Sequence, residues 1–543
     1  MITINLAKMQ QKKSLITITA CAFLLLWNVH TVRAQVTQVS IRIPDTTVLI
    51  DPMIYGQMLE NVNDSMIYGG VADRQGNVRQ HLVPLLQDLQ IPVMRWPGGT
   101  VVYEYDWKSG IGPREKRPTE PNLAWGGTEN YQFGTDEFLQ WCRQIGTTPY
   151  INLNMSLHPD HPGTVTDALE WMEYVNGKPD TKYGRLRAQN GHPEPYGVKY
   201  WGVGNENYLN NRAGRVQETD AQYALRLKQW ATSIKQHFPE LQLLGIGHTH
   251  RWNQRVLDSC GQLVDFLTQH YYVTSRVKDG KIQQATRTLF APAKMEAHLA
   301  MLGAQLDSVN QQLGRSDRPI RLSVDEWNNR HSVNNGDQFT FTRQSPRRQF
   351  DVAVAAGMLN AFIRQSPHVG MANYIFPVNA HGQIRTVGNT DAYRTPVYHV
   401  FQFYRTHLTG SRLALNMQGP SIAASSIQPT IDGDSGEAAF MTDSLLYVDG
   451  AAVLTAAKTI QLSLVNRSPD KVQKVAVHVP AGYKSNSVWI LSHPDINAAN
   501  SENQRNAVEP LSKPIKAKRG KVTLEIPPCG LYILELVTLN TQT

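Results

Sequence analysis

The chain has 543 residues, too many for one ordinary core, so two or three domains are expected. With 41% hydrophobic and 18% charged residues it falls in the soluble globular range, which excludes a disordered chain. The formal net charge of +8 falls to +4 without the four basic residues of the N-terminal segment, and no Lys/Arg cluster elsewhere forms a basic stripe, which argues against nucleic acid as a partner.

Residues 1–34 read as a secretory signal. Lys8, Lys12 and Lys13 make a basic start, Leu15 to Trp27 a 13-residue apolar run, and Val32-Arg33-Ala34 places a small residue before Gln35. The run is short for a membrane span, so cleavage is expected, with a secreted or periplasmic product and no stable membrane insertion. Ile18-Thr19-Ala20-Cys21 resembles a lipoprotein box but lies inside the apolar run instead of after it. Cys142, Cys260 and Cys529 remain, an odd and dispersed set that is neither a disulfide framework nor a metal site. Cys142 falls in an amphipathic pattern and reads as a buried, inert thiol.

Residues 35–52, with Val39-Ser40-Ile41-Arg42-Ile43, read as a strand segment that joins a later β-sandwich. From 53 to 410 strand-like runs alternate with helical patterns. The strands are Met53–Glu60, Val93–Gly99, Pro149–Asn154, Val198–Glu206, Leu241–Gly247, Phe266–Val273, Ile320–Trp327 and His368–Phe376. Helices are expected over Asn77–Gln90, Asp136–Ile145, Asp220–His237, Pro292–Leu313, Asp351–Arg364 and Pro396–His407, with Asp136 and Asp220 as N-caps and Gly146 and Gly314 as stops. Eight such units in order predict a (β/α)8 TIM barrel of the α/β class. Residues 411–543 change to short strands at Ala438–Phe440, Thr459–Val465, Lys474–Val479, Ser487–Leu491, Lys521–Glu525 and Leu531–Leu536, which predict a C-terminal antiparallel β-sandwich.

Functional groups of such a barrel collect at the C-terminal strand ends. There the chain carries Glu60, Arg95, Asn154, Asn205-Glu206, His270 with Tyr272, and Glu326. Glu206 ends the fourth strand and Glu326 the seventh, about three βα units apart, so they face each other across the mouth. Glycosidic cleavage needs such a pair, one carboxyl to protonate the leaving oxygen and one to attack or stabilise the anomeric carbon. An ionised Glu326 favours the protonated form of Glu206, and a separation of about 5–5.5 Å gives retention of configuration. His248 and His250 alternate as if on one strand face but have no acidic or thiol partner at metal spacing, so no metal site is assigned. Asn466-Arg467-Ser468 fits a glycosylation sequon, and Gly98-Gly99 lacks the Lys-Ser/Thr of a phosphate loop.

Five stretches in order carry a more specific likeness: Met94-Arg95-Trp96-Pro97-Gly98-Gly99; Asp106-Trp107 with Gly110-Ile111-Gly112-Pro113; Phe133-Gly134-Thr135-Asp136-Glu137-Phe138; Lys199-Tyr200-Trp201 leading to Gly204-Asn205-Glu206; and Asp325-Glu326-Trp327. With Tyr398-His399-Val400-Phe401 and Ile526-Pro527-Pro528, the chain resembles glycoside hydrolase family 51 of clan A, whose best-known members are α-L-arabinofuranosidases. The resemblance implies Glu206 as acid/base, Glu326 as nucleophile, and Asn205 as the partner of the sugar 2-hydroxyl. It further implies Glu60 and Arg95 as hydroxyl-reading and nucleophile-orienting groups, His270 and Tyr272 as lining residues, and Trp125 as an aromatic platform. Two positions depart from the family pattern: Thr100 stands where it usually reads Asn, and Phe376 near where it usually carries a substrate-contacting Gln. Both bear on which sugar is cut, not on the covalent chemistry.

The expectation is thus a cofactor-free retaining exo-hydrolase acting on arabinan or arabinoxylan, its partner a poly- or oligosaccharide, and homo-oligomers are common in the family. The alternatives are a clan-related β-xylosidase or endo-β-glucanase, or a non-catalytic carbohydrate-binding protein, for which two facing carboxylates have no use.

Overall fold

A computed structural model describes residues 36–46, 48–62, 65–210, 216–335, 338–342, 344–429, 431–433 and 436–539. The secretory signal expected over residues 1–34 lies outside the described residues. Among those described, no helix is long and apolar enough to cross a membrane.

Eight parallel strands close into a barrel: Gly56–Met58, Val93–Trp96, Thr148–Leu153, Tyr200–Val203, Gln242–Ile246, Phe266–Lys278, Arg321–Asn335 and Val369–Tyr374, with the last pairing back to the first. Strands buried on both faces are mostly apolar, as in Val369–Tyr374, where all six residues are buried and the polar Asn373 is satisfied by donating to Gln57 O at 3.0 Å. Val93, Tyr150, Leu244, Phe266 and Met371 pack together inside the barrel, which is therefore a filled core and not a pore.

All eight strands fall within the expected runs or overlap them, but the first is shorter, because Pro52–Tyr55 forms a 3-10 turn before it. Strands six and seven run on past the barrel rim, paired from Phe266–Arg321 to Val277–Val333, and raise a wall over the mouth. The helix expected over 77–90 is confined to Gln80–Leu82 and Val83–Asp88. Two expected caps move by one or two residues. Thr219, not Asp220, caps Asp220–His237 through its side chain, and Gly134 precedes Thr135–Ile145, where Asp136 is buried and accepts from Tyr174 and Tyr196. His248 and His250 do not share a strand face. The fifth strand ends at Ile246, His248 lies in the following loop, and Thr249 caps a helix that starts at His250.

The sandwich combines both ends of the chain. Thr37–Arg42 lies between Ser411–Gln418 and Gln473–His478, antiparallel to one and parallel to the other. Val448–Leu454, Ile460–Asn466, Leu531–Thr538 and Tyr483–Leu491 continue the sheet, around an interior of Val39, Leu462, Val475, Val477, Leu524 and Leu534. Ala438–Phe440 is not a strand. The stretch after Gln418 leaves the sandwich for the barrel, where Ile431–Asp432 adds antiparallel to strand six. Helix Gln349–Arg364 is buried on nearly every side, because the barrel covers one face and the sandwich the other, which explains its run of Ala, Gly and Val. Asn466, the sequon residue, is fully buried and donates to the carbonyls of Lys471, Ile526 and Pro527, so the folded chain offers it no glycan.

Candidate active site

The polar groups at the strand ends converge on two facing carboxylates. A carboxylate oxygen of Glu206 and one of Glu326 lie within 4.8 Å of each other, together with a ring nitrogen of His270. Glu206 follows strand four in a left-handed backbone conformation, φ 47°. Such a conformation costs a non-glycine residue about 1 kcal/mol or more and has to be held by its surroundings. Tyr103 does this by donating to the Asn205 carbonyl, and Asn207 by accepting from Asn205 N at 3.2 Å while donating to Met155 O at 3.0 Å.

Strand seven contributes two consecutive acids. In a regular strand Asp325 and Glu326 point to opposite faces. Here the register slips by one residue between Thr268/Ser323 and His270/Glu326, and the bulge turns both side chains inward. Asp325 accepts from Tyr150 at 3.0 Å and meets His270 Nε2 at 3.1 Å and Arg95 Nε at 3.4 Å. Burial disfavours its charge, but Arg95 and His270 hold its carboxyl below the usual carboxylate range. Glu326 accepts from Arg95 Nη1 at 2.7 Å and from the Tyr272 hydroxyl. Arg95 uses its other terminal nitrogen on Asn205 Oδ1 at 2.8 Å, so one guanidinium fixes the ends of strands four and seven together.

His270, from strand six, bridges the pair: Nδ1 is 2.9 Å from Glu206 and 3.6 Å from Glu326. Burial works against its charge, yet Glu326, Asp325 and Glu206 together push its pKa up to about 10. With Nε2 on Asp325 and Nδ1 on Glu206, both ring nitrogens are engaged by carboxyl groups and the imidazole offers no free lone pair to a metal ion, although among the described residues Glu206, His270 and Glu326 form the one cluster with metal-ligand spacing. Glu60 is buried and accepts from Gly99 N and Val101 N at 3.0 Å each. Its carboxyl is pushed up by burial and by the Glu326 charge, which outweigh the downward pull of the Val101 N–H, Trp125 and Arg95. Gly98 allows this approach, since a Cβ there would fall 2.3 Å from Glu60 Cγ, and Gly99 leaves the same room for Glu326, whose Oε1 lies 2.5 Å from where a Cβ would stand.

The structure therefore brings together Glu60, Arg95, Asn205, Glu206, His270, Tyr272 and Glu326. Trp125 joins them through Glu60, and it packs with Tyr272 against a buried apolar cluster of Met58, Val62, Met66, Ile375, Phe376 and Ala380. Phe376 is 2% exposed within that cluster, two residues past the end of strand eight, so it backs the site with carbon and presents no polar atom to it. Thr100 is buried in the 3-10 turn Thr100–Tyr103, next to the two N–H groups that hold Glu60. Asn154 serves the loop frame, donating to His161 O at 3.2 Å. Asp325, Tyr150, Tyr103 and Asn207 were not assigned from sequence. Asp325 was visible in the motif but hidden by strand alternation, and Tyr103 and Asn207 gave no periodic signal.

Two family models match the chain, described as α-L-arabinofuranosidase 1 domain over residues 85–288 and α-L-arabinofuranosidase C-terminal domain over residues 325–529. A probable α-L-arabinofuranosidase C of Aspergillus terreus is 30% identical over 84% of this chain and 89% of that protein. Among solved structures, the arabinose complex of an α-L-arabinofuranosidase from Thermotoga maritima is 29% identical with a TM-score of 0.78, covering 93% of this chain and all of that one. A family 51 α-L-arabinofuranosidase from Thermotoga petrophila RKU-1 is 28% identical with a TM-score of 0.74, covering 92% of this chain and all of that one.

Proposed function

The chain belongs to the α-L-arabinofuranosidases of glycoside hydrolase family 51, and from that premise we propose that it is a retaining exo-hydrolase releasing terminal α-L-arabinofuranosyl residues from arabinan and arabinoxylan. The observation that carries this reading is the approach of Glu206 and Glu326, with an oxygen of each within 4.8 Å of the other, nearer the spacing of about 5–5.5 Å of a retaining pair than the roughly 6.5–9.5 Å of an inverting one.

In the first half-reaction a Glu326 oxygen bonds to the anomeric carbon as the glycosidic C–O bond breaks, and Glu206 gives its proton to the departing oxygen. Arg95 and Tyr272 aim the attacking carboxylate, and Asn205, held by Arg95, accompanies the 2-hydroxyl into the charged transition state. In the second half-reaction Glu206 removes a proton from water, the oxygen attacks the same carbon, and the ester to Glu326 is cleaved.

An NMR time course on branched arabinan tests this reading. The expected first product is L-arabinose with the α configuration retained. Release of the opposite anomer, or no release by folded protein, overturns it. The carbon surface of Phe376 and the Thr100 departure favour keeping one second reading in the assay: aryl β-xyloside and soluble β-glucan, run beside aryl α-L-arabinofuranoside, distinguish a xylosidase or glucanase. For residues 1–34 we propose a cleaved export signal, with a secreted or periplasmic product. N-terminal sequencing of the mature protein is expected to begin at Gln35, and an intact Met1 in the exporting cell refutes it.

A further inference from the structure

One 3-10 turn, Thr100–Tyr103, together with the residue on either side of it, holds three parts of the site. Gly99 N and Val101 N donate to one oxygen of Glu60 at 3.0 Å each, and the Tyr103 hydroxyl donates to the Asn205 carbonyl. The third contact comes from Glu104, which directly follows the turn. Its two carboxylate oxygens accept separately from Leu123 N and Ala124 N, both at 3.0 Å.

Those two N–H groups immediately precede Trp125, whose side chain reaches Glu60. They belong to the loop that closes a short hairpin, Glu120–Pro121 against Thr128–Glu129. Asn122 ties the loop to the end of the first strand, accepting from Trp125 N at 2.8 Å and donating to Asn61 O at 2.8 Å. Between the loop and the turn lies a cavity of about 270 Å³, lined by Val101, Glu104, Tyr105, Leu123, Glu129 and Tyr131. A cavity withholds the atom contacts that would fix the loop by packing, so its position depends on hydrogen bonds. Gly126 and Gly127 follow Trp125 with φ of 78° and 82°, and a Cβ on Gly126 would meet nothing within 4 Å. Gly126 thus supplies backbone freedom instead of space, and adds no restraint of its own.

We propose that Glu104 is a positioning residue of the hydrolase, its two-oxygen fork setting where the Trp125 ring meets the sugar to be cleaved. The role is specific to a carboxylate. A Gln at this position keeps one acceptor but turns its NH2 toward the second N–H, so an uncharged side chain of the same shape breaks the fork.

The inference rests on Trp125 serving the hydrolase reading as a sugar platform. The experiment is a double-mutant cycle on methyl α-L-arabinofuranoside, with Glu104→Gln and Trp125→Ala made singly and together and thermal midpoints recorded. Glu104→Gln is expected to lower kcat/KM about tenfold, the equivalent of ~1.4 kcal/mol. The loss is expected mostly in KM, because a displaced platform weakens ground state and transition state alike. In the Trp125→Ala background the same change is expected to cost less than about twofold, since the ring through which Glu104 acts is gone. A purely structural role gives the same loss in both backgrounds, and that result overturns the inference. An unchanged KM in a Glu104→Gln protein with wild-type-like melting overturns it too. If Glu104→Gln does not fold, Glu104→Ala decides by the same cycle. A Trp125→Ala enzyme as active as the unaltered one overturns platform and fork while the hydrolase reading stands. Failure of the unaltered enzyme to cleave the substrate overturns both readings at once.

Discussion

The two ends of the same eight strands handle buried charge in opposite ways. At the N-terminal end Asp265 collects Arg318, Lys235 at 3.4 Å, Arg315 at 3.4 Å and the N–H of Leu243 at 3.0 Å, so three cations surround one carboxylate. At the C-terminal end the balance inverts: Glu60, Glu206, Asp325 and Glu326 share the two cations Arg95 and His270. A carboxylate saturated by cations can only hold the structure together. A surplus of carboxylate oxygen among buried side chains has a use, because positive charge develops at the anomeric carbon as the glycosidic bond opens. The upward push on Glu60 by the Glu326 charge is the same surplus felt by a neighbour.

The contrast breaks most sharply if the surplus is not the catalyst. Glu326→Ala is expected to lower kcat/KM on an aryl arabinofuranoside by on the order of 10⁴-fold or more, with the thermal midpoint little changed. A loss under tenfold would refute the nucleophile assignment. Glu206→Ala is expected to lose roughly 10²- to 10⁴-fold on substrates with poor leaving groups, far less with activated aryl ones, and to regain turnover with azide. Equal losses on both leaving groups contradict an acid/base role.

At the other end the prediction reverses. Asp265→Asn leaves Lys235, Arg315 and Arg318 without their shared charge, and is expected to cost about 1–3 kcal/mol in denaturant unfolding with kcat/KM unchanged. A large activity loss at native stability would show that the two ends are not independent.

The smallest effect is a difference in pH response. His270, pushed up to about 10, contributes stability that is complete below the unfolded value of about 6.5 and is lost as pH rises through 10. His399, on the last barrel helix, is held down to about 4 by burial. Its contribution is present above about 6.5 and is lost as pH falls toward 4, at up to ~1.4 kcal/mol per pH unit. His399→Gln is therefore expected to flatten the decline in unfolding free energy between pH 6.5 and 4.5 by about 1 kcal/mol, and an unaltered slope would exclude it as a source.

What was legible in the sequence follows from this geometry. Strand ends that break from apolar to polar, as at Asn205-Glu206, are visible because burial on both faces leaves the rest of the strand apolar. The inward turn of Asp325 was not, because period-two alternation assigns it to the opposite face and only pairing with strand six reveals the bulge. His248 and His250 misled for the same reason: alternation was extended past Ile246, although Thr249 three residues before Trp252 carried the signal of a helix cap. The strand at Ile431–Asp432 has two residues and no periodicity, so its place beside Tyr272 depends entirely on tertiary pairing.

Strand Thr37–Arg42, wedged between Ser411–Gln418 and Gln473–His478, also dictates an order of assembly. Made on a ribosome, it emerges before any barrel strand, yet both of its neighbours appear only after the barrel is complete. For most of synthesis it is an unpaired edge with Val39 and Ile41 uncovered, and a barrel expressed alone up to residue 410 would keep it so permanently. The catalytic half is thus tied to the timing of the other half, and shortening this protein to its active part is expected to yield aggregates before it yields a smaller enzyme.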